Sequence, residues 1–284
     1  MLVDRDALLE RAARPNSAKP RPFLRWAGSK RFALADIVRV LPSEFGTYFE
    51  PFLGAGSLFF LLQPPRAVLT DSCTELIDTF RAVRDNVSAV SRCVRPLRPS
   101  PEVYYRIRQR RSFGRFKRAA QFIYLNKVCW NGLYRVSSRG LFNVPYGMPR
   151  SQNIVDLQNL KACSRALQKP GVKLKACDFE EALSRVSAGD LVYLDPPYVT
   201  GHTNNGFVDY NEVLFSWHDQ QRLARLADGL RRAGAHVLVS CANQPAVRKL
   251  YPRFTHSVLR RRSTLASDVS KRKPVTELLL IPAG

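Results

Sequence analysis

Residues 191–198, Leu-Val-Tyr-Leu-Asp-Pro-Pro-Tyr, set a carboxylate and two prolines directly after four apolar residues. Such an apolar run reads as a buried strand, and a buried strand of an open α/β sheet delivers its last residue, here Asp195, to the carboxyl edge where these folds bind ligands. Pro196 and Pro197 fix φ and remove two backbone donors, leaving rigid carbonyl acceptors. A carboxylate beside a fixed carbonyl suits an exocyclic amino group with two N–H to donate, and Tyr198 offers a flat face for a base. A base inside a duplex cannot reach such a motif; it must swing out of the stack at roughly a few kcal/mol. The plainer alternative is a strand-ending turn capped by Asp195.

A second constellation is Phe49-Glu50-Pro51-Phe52-Leu53-Gly54-Ala55-Gly56, with Asp71 downstream. Glycines after a strand let backbone approach a ligand, and an acid ending the next strand can hold ribose hydroxyls. The dinucleotide fingerprint wants a third small residue where this chain has Phe59. Phe59 argues against a pyrophosphate on the helix start and for a nucleoside cofactor without phosphates, such as S-adenosylmethionine. Gly-x-Gly alone is equally compatible with a plain strand-to-helix turn. Lys30 follows Gly28-Ser29, but the glycine a P-loop needs five positions earlier is missing.

These residues need elements to position them. Thr47–Glu50 and Ala67–Thr70 read as strands on either side of a helix carrying Leu58, Phe59 and Leu62. Val172–Cys177, Leu191–Leu194 and Val237–Ser240 read as further strands, and Ser216-Trp217-His218-Asp219 as a capping box opening a helix with Leu223, Ala227 and Leu230 on one side. Apolar strands between amphipathic helices predict a mixed, mainly parallel sheet with helices on both faces. The middle of the chain differs. Glu75–Val90 and Lys117–Val128 have helical periodicity, Tyr104–Arg118 is dense in cations, and Leu133–Val136 and Leu141–Val144 read as a β-hairpin turned at Ser137–Gly140. The expected division is an arm over 1–20, a catalytic domain over 21–73 and 159–284, and an inserted, mainly helical module with the hairpin over 74–158.

Charge narrows the partner. With 45 Lys+Arg against 23 Asp+Glu the net charge is +22, which calls for a polyanion. Arg260-Arg261-Arg262 and Lys271-Arg272-Lys273 suit phosphates without reading sequence. The six cysteines contain no C-x-x-C, and the four histidines no pair at ligand spacing, so neither a zinc site nor a disulfide framework is expected. The longest apolar stretch, Leu58–Leu62, is far below the roughly 20 residues of a membrane span, and no secretory h-region follows the acidic start. A soluble, cytoplasmic chain without a metal is the expectation.

From Phe23 to about Ile281 the chain resembles the DNA adenine (N6) methyltransferases of the Dam type. Phe-Leu-Arg-Trp-Ala-Gly-Ser-Lys (23–30) and Glu-Pro-Phe-Leu-Gly-Ala-Gly (50–56) are similar to the family's cofactor motifs. Tyr-Leu-Asn-Lys (124–127), Trp-Asn-Gly-Leu-Tyr-Arg (130–135) and Arg-Gly-Leu-Phe-Asn-Val-Pro-Tyr-Gly (139–147) resemble its target-recognition segment, and Asp-Pro-Pro-Tyr (195–198) its catalytic motif. The chain departs from the pattern at Ser29, Cys73 and Met148-Pro149. The resemblance implies a Rossmann-like S-adenosylmethionine-dependent methyltransferase fold acting on double-stranded DNA, encoded by a bacterium or phage. It implies that Trp26, Lys30, Glu50, Phe52, Gly54, Gly56, Asp71 and Asp195 line the cofactor site, with Asp178 and Phe179 holding its adenine. Asp195, Pro196, Pro197 and Tyr198 are then catalytic. Arg25, Leu133 and Arg135 are implied to touch target base pairs, Trp130 to wedge into the stack and Asn131 to hold the strand beside the flipped base. GATC is the word the resemblance suggests. A cognate restriction endonuclease acting separately is left open, as are an RNA substrate on the same fold and a non-catalytic DNA-binding role. Read by itself, Arg135 could be a solvated cation and Trp130 a core aromatic.

Overall fold

Strand β4 (Leu191–Leu194) is buried along its whole length, as its unbroken apolar run predicts. The computed structural model describes residues 1–14, 19–149, 151–198, 215–262 and 274–282. Around β4 stand β1 (Tyr48–Glu50), β2 (Arg66–Asp71), β3 (Gly171–Ala176), β5 (His236–Ala242), β6 (Phe254–Arg262) and β7 (Pro274–Pro282). Among the described residues they form one seven-stranded sheet in the order β3-β2-β1-β4-β5-β7-β6. The first five in that order are parallel; β7 runs antiparallel to both β5 and β6. The mixed, mainly parallel sheet is therefore as expected, but the closing β6–β7 pair was not read from the sequence.

Period-2 alternation sends the side chains of each strand to two separate apolar clusters. Leu191 and Tyr193 join Tyr48, Leu69 and Phe60 on one face, whereas Val192 and Leu194 join Phe49, Phe179 and Leu223 on the other. Helices α1 (Arg5–Ala13), α2 (Leu34–Arg39), α3 (Ser57–Leu62) and α4 (Thr74–Val94) supply the first face, with Leu8, Ile37, Leu58 and Phe80 buried in it. Beyond α4 pack α5 (Pro101–Arg108), α6 (Arg115–Val128) and α7 (Leu157–Leu167). The second face is covered by α8 (Phe179–Leu183), α9 (Trp217–Arg232) and α10 (Pro245–Leu250). The capping box of α9 is formed: Asp219 N donates to Ser216 Oγ at 3.1 Å and Ser216 N to Asp219 Oδ2 at 3.0 Å.

Two local features differ from the sequence reading. Residues 133–144 do not form two regular strands. Ser137 N donates to Leu141 O at 2.8 Å and Asn143 N to Arg135 O at 2.7 Å, but Val136–Phe142 is a single isolated bridge. Pro145 has no donor to extend the ladder, and Tyr134 turns away to pack edge-on against Phe142 and flat on Trp26. Helix α4 runs past Val90 and breaks its geometry at Asn86, whose side chain caps the next turn by accepting from Ala89 N at 2.9 Å. Within the first 14 residues α1 packs against α2: Leu2 bridges to Glu44 and the Arg11 guanidinium donates to Phe60 O at 3.3 Å.

Candidate active site

The parallel strands point their carboxyl ends the same way, and four deliver an acid there. Glu50 closes β1, Asp71 closes β2, Asp178 follows β3 and Asp195 follows β4. At Asp195 the neighbour is Lys30, whose Nζ lies 2.6 Å from Oδ1 and donates to Gly28 O at 2.7 Å. Lys30 is only 3% exposed, so this is a nearly dry ion pair that removal of either partner would leave uncompensated. Glu277 of β7 joins it, with Oε2 at 3.7 Å from Lys30 Nζ and accepting the Tyr198 hydroxyl at 2.6 Å. The Tyr198 ring also lies 4.8 Å from the ammonium. Burial pushes Asp195 up to about 6, Lys30 opposes that rise, and Glu277 adds to it. Pro196 is buried behind the acid, and Pro197 and Tyr198 are half-buried.

The glycine turn is next along the edge. Gly54 and Gly56 take φ of +48° and +67°, the left-handed region. A Cβ on Gly54 would stand 2.8 Å from Trp26 Cδ1, so the glycine is also what lets Trp26 lie over the turn. Asp71 fixes the turn from below by accepting from Gly54 N at 3.0 Å and Cys73 N at 2.9 Å. A carboxylate has about four acceptor positions, so these two amides leave room for two hydroxyls. Glu50 is fully enclosed: burial pushes it up to about 8 against the pull of the nearby Tyr48 hydroxyl, and its Oε2 has no hydrogen-bond partner. Phe52, Phe179 and Phe215 form an aromatic cluster with centroids 5.5–5.9 Å apart. Asp178 caps α8 through Glu180 N at 2.9 Å and receives Arg222 Nη2 at 2.7 Å. Phe59 is buried in the core against Phe60 and leaves no small-residue seat at that point of α3.

This donor set fits S-adenosylmethionine: a close-approach glycine turn, an acid with spare acceptors, an orphaned buried carboxyl oxygen and an aromatic wall. Lys30, which follows Gly28-Ser29, is paired with Asp195. Among the described residues no group of three or more His, Cys, Asp or Glu gathers as a metal site, and no helix is long and apolar enough to cross a membrane. Burial pushes Cys73, Cys129, Cys163 and Cys241 up to about 12, which makes them poor nucleophiles.

The residues implied for DNA contact gather around α6. Arg25 N donates to Asn126 Oδ1 at 2.8 Å, and a Cβ on Gly132 would fall 2.5 Å from Arg25 Cβ, so residues 25 and 132 are in direct contact. Trp130 is 36% exposed, which disfavours the reading of it as a core aromatic. Asn131 adopts φ of +52°, Leu133 is half-buried, and the exposed Arg135 reaches Asn143 O at 2.8 Å. Arg261 and Arg262 have no described side chains, and the Lys271-Arg272-Lys273 cluster and the loop 199–214 lie outside the described residues. Sequence reasoning missed three residues here. Buried Asn126 bonds Arg25 through both backbone groups; Tyr134 stacks on Trp26 with centroids 5.8 Å apart; Glu277 completes the Lys30 cluster. Asn126 and Tyr134 lie within segments singled out by the resemblance, and Glu277 stands as a lone acid before Leu278–Ile281.

Comparison with known proteins agrees with this geometry. The model of the D12 class N6 adenine-specific DNA methyltransferases matches residues 26–265. The chain is 34% identical to the type II methyltransferase M1.LlaDCHI of Lactococcus lactis subsp. cremoris, covering 95% of this chain and 98% of that one. It is 35% identical to the type II methyltransferase M.MjaIII of Methanocaldococcus jannaschii, over 92% and 98%. With the DNA adenine methylase of Escherichia coli K12 the identity is 33%, over 93% and 95%. An edge of acids around a glycine turn, an Asp-Pro-Pro-Tyr motif and these matches place the chain in the D12 class of N6 adenine-specific DNA methyltransferases.

Proposed function

We propose that this chain moves the methyl group of S-adenosylmethionine to N6 of an adenine swung out of duplex DNA within one short word, with GATC the first word to test. The observation that carries the reading is the Lys30–Asp195 pair, which holds a carboxylate at the sheet edge beside Pro196 and Tyr198. When bound, S-adenosylmethionine supplies an electrophilic methyl group, and Trp26, Glu50, Phe52, Gly54, Gly56, Asp71, Asp178 and Phe179 are the residues that hold it. Asp195 and the Pro196 carbonyl accept the two N6 hydrogens and draw the amino lone pair out of conjugation with the ring. Tyr198 stacks on the base. As N6 takes the methyl group, leaving S-adenosylhomocysteine, it becomes cationic; ionised Asp195 stabilises that charge in a site largely screened from water and accepts the surplus proton, which passes on to solvent. Lys30 keeps Asp195 ionised; Pro197 keeps the turn rigid.

Residues 74–158 serve as the recognition module between two stretches of the catalytic domain, 21–73 and 159–284, with 1–20 as an arm. Arg25, Leu133 and Arg135 meet base edges, Trp130 enters the stack and Asn131 holds the neighbouring strand. Arg25, Arg31 and Lys127 stand close enough here to act on one another's charge, a group of cations that suits a polyanion. The reaction takes place on cytoplasmic DNA. A restriction endonuclease reading the same word is a partner to test by protection of methylated DNA from cleavage. The deciding experiment is single-molecule modification sequencing of DNA from a methylation-free host expressing this chain, beside Asp195→Ala. N6-methyladenine in one word, absent from the control, is the expected result. Unmodified DNA from folded protein overturns the duplex-DNA reading and turns the search to structured RNA.

A further inference from the structure

Glu277 belongs to none of the motifs read from the sequence. It reaches the site because β7 runs backwards: Glu277 pairs with Ala242, the last residue of β5, so an early residue of β7 arrives at the carboxyl edge of the parallel strands. It is 1% exposed there. An acid so placed is unfavourable unless it is paired, and the following Leu278, Leu279 and Leu280 show what β7 otherwise requires for packing. Among the described residues Glu277 accepts the Tyr198 hydroxyl at 2.6 Å and stands 3.7 Å from Lys30 Nζ. One buried ammonium thus faces two carboxylates, one beside the amino group to be methylated and the other tied to the aromatic ring beneath it.

We infer that Glu277 is a positioning residue for methyl transfer, tethering the Tyr198 ring as the platform for the target base and locking that platform to the Lys30–Asp195 pair. The inference rests on the proposed reaction. It gives Glu277 two separable roles: an acceptor for Tyr198 and a negative charge beside Asp195. Glu277→Gln keeps an acceptor and removes the charge, Glu277→Ala removes both, and Tyr198→Phe removes the tether and keeps the ring.

The test measures methyl transfer from labelled S-adenosylmethionine to plasmid DNA from a methylation-free host, using the full-length chain and these variants with both substrates saturating. Tyr198→Phe and Glu277→Ala are expected to lower kcat by about tenfold or more with smaller changes in KM, and the double variant to be no worse than Glu277→Ala alone, because both cut one tether. Glu277→Gln restores most of that rate at pH 8. Its second readout is the acid limb of the pH profile. Asp195 is faced by Lys30, Glu277, Glu50, Tyr48, Tyr193, Tyr198 and Cys241. Removing one like charge moves the limb to lower pH, by about half a unit or more. If Glu277→Ala does not fold, Tyr198→Phe and the limb of Glu277→Gln carry the test. Additive losses, or a limb that stays in place or rises, overturn the assignment while leaving the reaction standing. An inactive wild-type chain overturns both.

Discussion

In the proposed reaction Asp195 works only as an anion, because a protonated carboxyl would offer the amino group one acceptor fewer and no charge. Burial has moved its titration up to about 6, within reach of ordinary assay buffers. The transfer rate is therefore expected to fall about tenfold per pH unit once the pH drops well below that value, and a rate flat down to pH 5 would refute the role. Glu50 makes a different prediction. Its carboxyl titrates at about 8 in the fold, from burial first, and near 4.5 when exposed. The folded state binds the proton more tightly, so the stability contributed by that proton is full below pH 4.5 and is lost as pH rises toward 8, at up to about 1.4 kcal/mol per unit. Glu50→Gln should flatten melting temperature against pH across that window and be the more stable form at pH 8. Parallel curves for variant and wild type would show that Glu50 is not buried as a neutral acid.

The glycine turn between β1 and α3 has its own test. Gly54→Ala must place a methyl 2.8 Å from Trp26 Cδ1 at a φ of +48°, and both the turn and Trp26 must give. Cofactor affinity measured by calorimetry should fall about tenfold or more, with a stability loss of roughly 1–2 kcal/mol. An unchanged affinity would remove this turn from the cofactor site. At this scale the sequence was legible where an element is buried on both sides. The runs at Leu191–Leu194 and Ala67–Thr70 lie within true strands, and Ser216–Asp219 is a true capping box. Legibility failed where long-range partners decide. Glu277 takes its meaning from a strand order in which β7 inserts beside β5, and no local spacing encodes that. The hairpin around Ser137–Gly140 alternates like two strands, but only Val136 and Phe142 bridge, and the Tyr134 ring packs on Trp26 and Phe122 as well as on Phe142. Asn126 is buried beside Leu125 and Val128, and what holds it there is Arg25, 101 positions away, together with Gly132 O.

At the scale of the whole molecule the net charge of +22 dominates association with DNA. Each phosphate neutralised contributes about 0.9 to the slope of log affinity against log salt, so binding to any duplex should weaken steeply as salt rises. A titration on the recognised word and on a scrambled one should give similar steep slopes with an offset between them. A slope near zero would remove the phosphate contacts. The sheet order has another consequence, in the time it takes to make the protein. Among the described residues β7 follows β6 in sequence yet lies between β5 and β6, and β6 has no other strand beside it. While residues 254–262 are leaving the ribosome, β5 presents a bare row of amides and carbonyls, and β6 waits with nothing to pair to. Only when Pro274–Pro282 threads into that gap does the sheet close. Translation therefore sets a final seam: chains broken off before it would expose a ready template for aggregation, and full-length synthesis is what seals the fold.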